Sequence, residues 1–306
     1  MQILKTAHFL PEKVLTNLDL EKTLDTTDDW IKSRTGISLR HIGENITTSD
    51  MAIEVGKKLL GDIDPLSIDF VIVATFTPEL AMPTVSCKVQ GALGLKNACA
   101  FDLNAACSGF VYAMNVANGL LKTGLKKGMV IGAEKISSVL DFHDRKTAVL
   151  FGDGAGGVLL EDSPNPTYQI MGADGKKSEL LQSGFPEGTE KISMDGRGIF
   201  NFVLGEVKDN ILKTVEKSPY AIEEIDYFLL HQANLRLLKQ LAHKFSLPEE
   251  KFLANLAETG NTSAASIPIL LSEFVEKGVL KLFSKEKILL SGFGGGLTYG
   301  TMIITL

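Results

Sequence analysis

The sequence predicts a layered α/β fold made of two similar halves. Short strand-like runs alternate with longer amphipathic stretches along its 306 residues, which is the pattern of an α/β protein. Two pairs of segments also resemble one another at nearly one offset, roughly 158 residues. IDFVIVAT at 68–75 resembles IDYFLLHQ at 225–232, and KKGMVIGA at 126–133 resembles KEKILLSG at 285–292. We therefore expect a duplicated unit whose equivalent loops meet at a shared site.

The individual elements follow from length, periodicity and turn residues. Predicted strands are the apolar runs Phe70–Thr75, Ala98–Leu103, Met129–Gly132, Gly157–Leu160, Tyr227–Leu230, Ile288–Ser291 and Thr301–Leu306. Predicted helices are the amphipathic stretches Ser49–Leu60, Phe110–Thr123, Leu204–Glu216, Leu235–Phe245 and Ala265–Lys277. The segment EDSPNPTY at 161–168 has the composition of a linker. We place the boundary there, between an N-terminal half (1–163) and a C-terminal half (164–306).

Composition excludes several classes of protein. A net charge of −6 argues against a general nucleic-acid binder. No run of about 18 apolar residues and no signal-peptide core is present, so we expect no membrane association. The three cysteines, Cys87, Cys99 and Cys107, have no metal-ligand spacing and are odd in number. We therefore expect no metal site, no disulfide framework and a cytoplasmic location.

Three residues at strand–helix junctions are candidates for chemistry. Cys107, in DLNAACSGF (102–110), is predicted at a helix N-terminus, which lowers a thiol pKa, and its small neighbours allow close approach of a substrate. His231 follows the strand YFLL, and Asn261 lies in ETGNTSAAS before a helix. An imidazole and a carboxamide can both donate hydrogen bonds to one carbonyl oxygen. Taken singly, each residue also fits a structural role: a buried cysteine, a junction histidine and a turn asparagine.

Two glycine-rich segments raise separate questions. FGDGAGG (151–157) lacks the Lys-Ser/Thr of a phosphate-binding loop and opens no clear helix, so we do not expect it to bind phosphate. SGFGGGLTYG (291–300) lies between two predicted strands. It fits either a tight hairpin or an oxyanion hole built from backbone N–H groups.

Five motifs occur in order: DLNAACSGF, FGDGAGG, HQANLR (231–236), ETGNTSAAS and the terminal glycine run. With them the chain resembles the β-ketoacyl-acyl-carrier-protein synthase III family, the initiating condensing enzymes of bacterial type II fatty-acid synthesis. The likeness extends from TDDWIKSRTGI (27–37) to GFGGGLTYG (292–300). It implies a thiolase-like fold, with two βαβαβαββ halves in a five-layer αβαβα sandwich, and a homodimer.

The resemblance also implies a mechanism. Cys107 would accept the acyl group of an acyl-coenzyme A, and malonyl-acyl-carrier protein would then bind. His231 and Asn261 would hold the malonyl thioester oxygen during decarboxylation, and the N–H groups of Cys107 and Gly295 would hold the acyl oxyanion. Loss of carbon dioxide creates the carbon nucleophile, so no metal or redox cofactor is expected.

Coenzyme A contacts are likewise implied by motif position. Trp30 and Arg34 match the residues that flank the adenine, and Arg145 matches a second arginine at the nucleotide end. Asn234 matches a pantetheine contact, and Phe200 matches an aromatic residue of the tunnel wall.

Three further residues concern partners and specificity. Arg236 matches a basic residue for docking of the carrier protein. Met82 stands where the enterobacterial form has a phenylalanine that caps the acyl pocket of the partner subunit. A flexible methionine favours a larger or branched primer, although the sequence does not define the primer. We assign no role to His143.

Other readings of the same motifs stay open. Relatives in secondary metabolism condense or transfer acyl groups onto different acceptors. Hydroxymethylglutaryl-coenzyme A synthase needs an additional acidic base; no carboxylate lies in a clearly matching motif, although Glu134 in GAEK keeps this alternative open. A thiolase needs a second catalytic cysteine near the C-terminus, and none follows Cys107. A non-catalytic partner subunit typically lacks the cysteine or histidine, whereas both are present here.

Overall fold

The computed structural model describes residues 1–186 and 188–306. Its strands are β1 Gln2–Phe9, β2 Val14–Thr16, β3 Leu39–His41, β4 Phe70–Ala74, β5 Cys99–Leu103, β6 Lys127–Glu134, β7 Gly154–Glu161, β8 Tyr168–Ala173, β9 Leu181–Gln182, β10 Ser193–Met194, β11 Tyr227–Leu230, β12 Lys287–Gly294 and β13 Thr298–Thr305. Its helices are α1 Asn17–Glu21, α2 Asp28–Thr35, α3 Thr48–Leu60, α4 Val85–Ala92, α5 Gly109–Lys122, α6 Arg145–Ala148, α7 Gly196–Phe202, α8 Lys208–Glu216, α9 Leu235–Lys244, α10 Leu256–Thr259 and α11 Ser266–Glu276.

Two sheets with equivalent strand orders form the framework of the molecule. The first has the order β1-β7-β6-β4-β5, in which β6, β4 and β5 run parallel and β7 is antiparallel to both neighbours. The second has the order β8-β13-β12-β11 with the same directions. Where β5 would have its counterpart, a single parallel bridge joins Phe228 to Phe252. The predicted duplication is therefore visible in the sheets, and one strand of the second copy is reduced to one bridge.

Three hydrophobic clusters divide the molecule into layers. The central cluster contains the buried faces of α5 and α11 together with residues from both sheets, such as Ile72 and Leu290. A second cluster packs α3 and α4 on the outer face of the first sheet, and a third packs α8 and α9 on the outer face of the second. The resulting order is helices, sheet, helices, sheet, helices, as expected for a five-layer sandwich.

The last four residues of the FGDGAGG motif form the start of β7. A Cβ on Gly156 would lie 2.5 Å from the backbone nitrogen of Ile269, and one on Gly152 would lie 2.4 Å from the carbonyl oxygen of Thr259. Such approaches to backbone atoms leave room only for glycine. The motif therefore allows segments from the C-terminal part of the chain to lie directly on the first sheet.

All strands of the first sheet lie within residues 2–161, and all strands of the second lie within 168–305. On this placement we propose that the division into halves at 163/164 marks the boundary of the duplicated units.

Candidate active site

Two matching turns lead into the two helices of the middle layer. Before α5, the Asn104 side chain accepts a hydrogen bond from the Ala106 N–H at 3.1 Å; before α11, Asn261 accepts one from the Ser263 N–H at 2.9 Å. Ala106 and Ser263 also share a left-handed backbone, with φ of 46° and 50°. The duplication has therefore produced the same turn in each half, with the two turns packed against each other.

Cys107 follows the first of these turns and is buried. Burial raises the pKa of its thiol to about 12; the Ser263 hydroxyl lowers this pKa by hydrogen bonding, and the charge of Glu134 raises it. We expected a lowered pKa at a helix N-terminus. Cys107 instead lies in a 3₁₀ turn just before α5, where desolvation outweighs the helix dipole.

The glycine hairpin between β12 and β13 closes against this turn. A Cβ on Gly294 would lie 2.7 Å from the Cβ of Cys107 and 2.8 Å from its backbone nitrogen. The Thr298 hydroxyl donates to the Ala105 carbonyl at 3.0 Å, and the Ser108 hydroxyl donates to Thr298 at 2.8 Å. The segment is thus a hairpin, and it also forms one wall at the cysteine.

His231 directly follows β11 and is buried. Its Nδ1 lies 2.8 Å from the Oγ of Ser266, the first residue of α11. The same oxygen accepts a hydrogen bond from the Gln232 N–H at 3.4 Å, and the Ser266 hydroxyl hydrogen is available to donate to Nδ1. Burial lowers the pKa of His231 to about 3. The imidazole is therefore neutral near pH 7, and this arrangement favours a proton on Nε2.

Asn261 is fixed through its backbone as well as its side chain. Its N–H donates to the Leu150 carbonyl at 2.9 Å, and its carbonyl accepts from the Gly152 N–H at 3.1 Å. Because its Oδ1 is occupied by Ser263, the Nδ2 group is the part of the side chain available to a ligand.

Cys107 borders two cavities. A narrow one, of about 30 Å³, brings together the three predicted residues Cys107, His231 and Asn261. Its remaining lining residues are Phe151, Leu181, Met194, Ile199, Phe202, Ala233, Phe293 and Gly294. A larger cavity, of about 750 Å³, is lined by Phe76, Asn104, Ala106, Cys107, Phe151, Ser178, Glu179, Leu181, Gln182, Ser183, Ile192, Gly295, Gly296 and Thr298.

The predicted oxyanion pair is also located at these cavities. Gly295 lies on the larger cavity, and a Cβ added to it would lie 3.3 Å from the Cβ of Ala106. Cys107 borders the same cavity, so both residues of the predicted pair lie at one site.

The predicted nucleotide contacts lie on the surface formed by α2, α6 and α9. The Arg145 guanidinium lies over the Trp30 ring, 5.1 Å from its centroid, and its Nη1 donates to the Asp25 carbonyl at 2.6 Å. The C-terminal end of α2 packs on the start of α9. The approach is so close that a Cβ on Gly36 would lie 2.6 Å from the Cβ of Leu235.

Asn234 links these two helices. Its Nδ2 donates to the Arg34 carbonyl at 3.0 Å, and its Oδ1 accepts from the Arg236 N–H at 2.8 Å as the N-cap of α9. Its amide thus positions Arg34 and Arg236, both exposed, on one surface.

The other predicted residues are placed as follows. Phe200 is half-buried in the outer core, while Ile199 and Phe202 beside it line the narrow cavity. Met82 is 83% exposed and lines neither cavity at Cys107. His143 is an exposed loop residue.

Sequence reasoning missed several residues of the site. Ser263 and Ser266 lie within the quoted motif ETGNTSAAS, but hydroxyl groups in a small-residue run give no separate signal. Phe151 and Phe293 belong to the two glycine-rich motifs, where attention falls on the glycines. Met194 and Leu181 come from the short β9–β10 ribbon, which has no periodicity to reveal it.

The described residues contain neither a candidate metal site nor a candidate membrane span. No group of three or more His, Cys, Asp or Glu side chains in that part of the chain is arranged to hold a metal ion. None of the helices within it has the length and apolar character needed to span a bilayer.

The fold and site define a thiolase-like condensing enzyme, an acyltransferase with a buried cysteine as its candidate nucleophile. The family model described as 3-oxoacyl-[acyl-carrier-protein] synthase III matches residues 101–177, and the model of the C-terminal part of that family matches 215–306. The chain therefore belongs to the β-ketoacyl-acyl-carrier-protein synthase III family, which confirms the resemblance.

Individual relatives agree over the full length. The β-ketoacyl-acyl-carrier-protein synthase III of Streptococcus gordonii is 52% identical, with 100% of this chain and 99% of that protein aligned. The enzyme of the same name from Lactococcus lactis is 50% identical, with 100% and 99% aligned. The crystal structure of the synthase III from Aquifex aeolicus superimposes with a TM-score of 0.94 at 40% identity, covering 100% of this chain and 99% of that one. The thiolase-like fold is thereby confirmed.

Proposed function

We propose that this enzyme initiates fatty-acid synthesis by condensing a short acyl group, taken from an acyl-coenzyme A, with malonyl-acyl-carrier protein. The observation that carries the proposal is the meeting of Cys107, His231 and Asn261 in one narrow cavity, although they come from three different elements. A thiol beside two uncharged hydrogen-bond donors suits a reaction in which a thioester is attacked and an enolate is then stabilised.

In the first half-reaction, the Cys107 sulfur attacks the carbonyl carbon of the acyl thioester and coenzyme A leaves. Negative charge develops on the carbonyl oxygen, and the N–H groups of Cys107 and Gly295 are the donors for it. Both residues line the larger cavity, which supports this role, because backbone donors held at the site of the developing charge need little reorganisation.

In the second half-reaction, malonyl-acyl-carrier protein enters and loses carbon dioxide. The neutral His231 and the Nδ2 group of Asn261 donate to the thioester oxygen as the enolate forms. A neutral imidazole is a stable donor near pH 7 because burial holds the pKa of His231 at about 3. The enolate carbon attacks the acyl-cysteine and expels the Cys107 thiolate, giving the β-ketoacyl product. Neither half-reaction requires a metal or redox cofactor.

The surface of α2, α6 and α9 is the proposed entry for both substrates. Trp30 and Arg34, both exposed, are the proposed residues on either side of the adenine, and Arg145 supplies charge at the nucleotide end. Arg236, exposed at the start of α9, is the proposed contact of the acidic carrier protein. Asn234 is the proposed pantetheine contact, and Phe200 supports the wall formed by Ile199 and Phe202.

The larger cavity is the proposed acyl pocket, completed in a homodimer. The strand β5 is at the edge of the first sheet, so its outer backbone groups are free to pair with a second copy. Met82 is too exposed to belong to its own pocket, which supports a role at the pocket of the partner subunit. Methionine there favours a primer larger than acetyl, and strict acetyl preference in a primer-length series contradicts this part of the proposal. A cytoplasmic location is part of the same proposal.

A condensing enzyme of specialised metabolism is the alternative. The priming β-ketosynthase of the R1128 polyketide pathway superimposes with a TM-score of 0.93 at 30% identity, covering 100% of this chain and 93% of that one. The two functions share acylation of the cysteine and differ in the acceptor.

The test is the intact mass of the protein after incubation with a panel of acyl-coenzyme A thioesters, followed by a chase with malonyl-acyl-carrier protein. We expect a short acyl adduct on Cys107 that the chase removes as a β-ketoacyl product. An adduct that malonyl-acyl-carrier protein cannot discharge supports the alternative acceptor.

Three variants assign the roles in the same experiment. Cys107→Ala forms no adduct. His231→Ala and Asn261→Ala still form the adduct but discharge it about 10²-fold to 10³-fold more slowly, because they lose donors to the enolate. Discharge at the wild-type rate in both variants shows that these roles are wrong.

A further inference from the structure

Glu134 is a buried carboxyl group that takes no part in either proposed half-reaction. It is the last residue of β6, has no exposed surface and lies behind the turn that carries Cys107. A fully buried carboxylate is unfavourable unless its surroundings hold it for a reason. The contacts of its two oxygens show what that reason is.

One oxygen, Oε2, is saturated with donors. It accepts from the Thr75 hydroxyl at 3.1 Å, from the Phe76 N–H at 3.2 Å, and from the Thr77 N–H and hydroxyl at 3.2 Å and 2.5 Å. The two N–H groups are shared with other acceptors, but the two hydroxyl groups are enough to occupy both lone pairs of this oxygen.

The direction of these bonds is fixed by neighbouring backbone groups. The Thr75 hydroxyl oxygen accepts from the Thr77 N–H at 3.1 Å, and the Thr77 hydroxyl oxygen accepts from the Lys135 N–H at 2.9 Å. Each hydroxyl therefore turns its own hydrogen toward Glu134. The site is built for a carboxylate, and it holds Oε2 as the permanent acceptor.

The other oxygen, Oε1, is open on one side. It accepts from the Ser263 hydroxyl at 3.2 Å and only weakly from the Phe76 N–H, at 3.4 Å. Ser263 is held by its own N–H, which donates to Asn261. Its turn packs against the turn that carries Cys107, and hydrogen bonding by its hydroxyl lowers the pKa of the Cys107 thiol. The Ser263 hydroxyl is therefore the group shared by the Cys107 thiol and the less crowded oxygen of the carboxylate.

We propose that Glu134, acting through Ser263, takes up the thiol proton when Cys107 is acylated and returns it when the cysteine is released. This inference rests on the proposed acyl-cysteine function.

The proton and the electrons balance over the cycle. As the sulfur–carbon bond forms, the thiol proton moves to the Ser263 oxygen while the Ser263 hydroxyl proton moves to Oε1 of Glu134. Coenzyme A leaves as a thiolate and takes a proton from solvent. When the enolate attacks, the Cys107 thiolate is expelled with the bonding pair, and the same path in reverse returns the proton to sulfur. One proton is consumed from solvent in each turnover, as the decarboxylative condensation requires.

The neighbouring titratable groups support Glu134 over His231 as the base. Burial raises the pKa of Glu134 to about 7, whereas burial lowers that of His231 to about 3. Near neutral pH, the carboxylate is the stronger base of the two. The titratable side chain that faces Glu134 is Cys107, and the other side chains in contact with the carboxylate are Thr75, Thr77 and Ser263. The next residue, Lys135, directs its ammonium group to the Glu44 carbonyl at 3.4 Å.

The test is the pH dependence of Cys107 reactivity in the full-length enzyme. Rates of acetylation by acetyl-coenzyme A and of alkylation by iodoacetamide are followed by peptide mass, which separates Cys107 from the exposed Cys87 and Cys99. In the wild type, both rates rise to a plateau with an inflection near pH 7, where Glu134 ionises. In Glu134→Gln and Ser263→Ala, the inflection disappears and the rate at neutral pH falls about 10²-fold.

The variants are chosen to keep the fold. Glutamine can place its carbonyl oxygen among the four donors of Oε2, and alanine already occupies the equivalent left-handed position at Ala106 in the other half. The control is Asp153→Asn, which removes another fully buried carboxyl, one held by the Gly43 N–H and by Ser137. This control keeps the inflection.

An inflection that survives in both Glu134→Gln and Ser263→Ala overturns the proposal, as does one that is lost only in His231→Ala. Because alkylation needs neither substrate, the two proposals fail separately. A normal alkylation profile together with no discharge by malonyl-acyl-carrier protein contradicts the proposed function and supports the proton path.

Discussion

The Nδ1 atom of His231 lies 2.8 Å from the Oγ of Ser266, so the first residue of α11 orients the histidine that follows β11. We predict that Ser266→Ala lowers the rate of discharge of the acyl-enzyme about fivefold while leaving acylation of Cys107 nearly unchanged. Without the serine, the imidazole loses the bond that favours a proton on Nε2, and a hydrogen bond of this kind contributes about 1 kcal/mol. Single-turnover acylation and chase experiments measure the two steps separately.

The matched control is Ser272→Ala. Ser272 lies on the same helix, is equally buried and also contacts a histidine, since its Oγ lies 3.0 Å from Nδ1 of His8. This substitution leaves both steps at wild-type rates. Equal losses in the two variants show that the effect comes from α11 as a whole and not from His231.

Gly294→Ala is predicted to abolish acylation. The added methyl group would lie 2.7 Å from the Cβ of Cys107 and 2.8 Å from its backbone nitrogen. Removing this overlap requires the backbone of either the hairpin or the Cys107 turn to move. Gly119→Ala in α5 is the control, since nothing lies within 4 Å of its Cβ, and we expect a gain in the free energy of unfolding of up to about 1 kcal/mol. Acyl-adduct mass and urea unfolding report the two quantities. An active Gly294→Ala enzyme means that the hairpin does not fix the cysteine.

Arg236→Glu is predicted to raise KM for malonyl-acyl-carrier protein more than KM for acyl-coenzyme A. The side chain is exposed, so the change acts on approach of an acidic partner, and the difference shrinks at high salt. Lys244→Glu, at the opposite end of α9, makes the same change of charge away from the proposed docking surface. Equal effects of Arg236→Glu on both substrates place this arginine at the nucleotide instead.

The neutral His231 predicts a pH dependence of stability. Its pKa is about 3 in the folded protein and about 6.5 when exposed, so below pH 6.5 the unfolded chain binds a proton that the folded chain excludes. Stability is therefore lost as the pH falls from about 6.5 toward 3, by up to about 1.4 kcal/mol per pH unit. Glu134, whose pKa is raised, acts in the opposite sense between about pH 7 and 4.5, so the wild type is compared with His231→Gln. Urea unfolding at several pH values should give a shallower slope for the variant; parallel slopes mean that His231 titrates normally.

The sequence predicted those elements whose pattern is local. The strand Tyr227–Leu230 has the predicted bounds, and the helix α3 differs from Ser49–Leu60 by one residue, because apolar spacing defines both. The edge strands β1 and β8 were not predicted. Their faces are mixed rather than alternating, and their pairing with β7 and β13 is a long-range property.

For the site, the motifs identified the residue types and the structure supplied their environment. Nothing in DLNAACSGF indicates that burial raises the pKa of Cys107, because the side chains that bury it come from distant segments. The hydroxyl groups of Ser263 and Ser266 became meaningful only when their partners, Glu134 and His231, were known. Local sequence specifies a turn, whereas the proton chemistry at that turn depends on what packs behind it.

Because the candidate catalytic residues come from both halves of the chain, condensing activity reports that the two halves have docked. Cys107 is carried by the turn before α5, whereas His231 and Asn261 come from beyond β8, so neither sheet with its own helices holds a complete set. A folding intermediate with only one sheet formed is catalytically silent, and so is either fragment of a chain cleaved between β7 and β8. Recovery of condensation on mixing two such fragments would therefore time the docking of α5 against α11 directly, without any spectroscopic label.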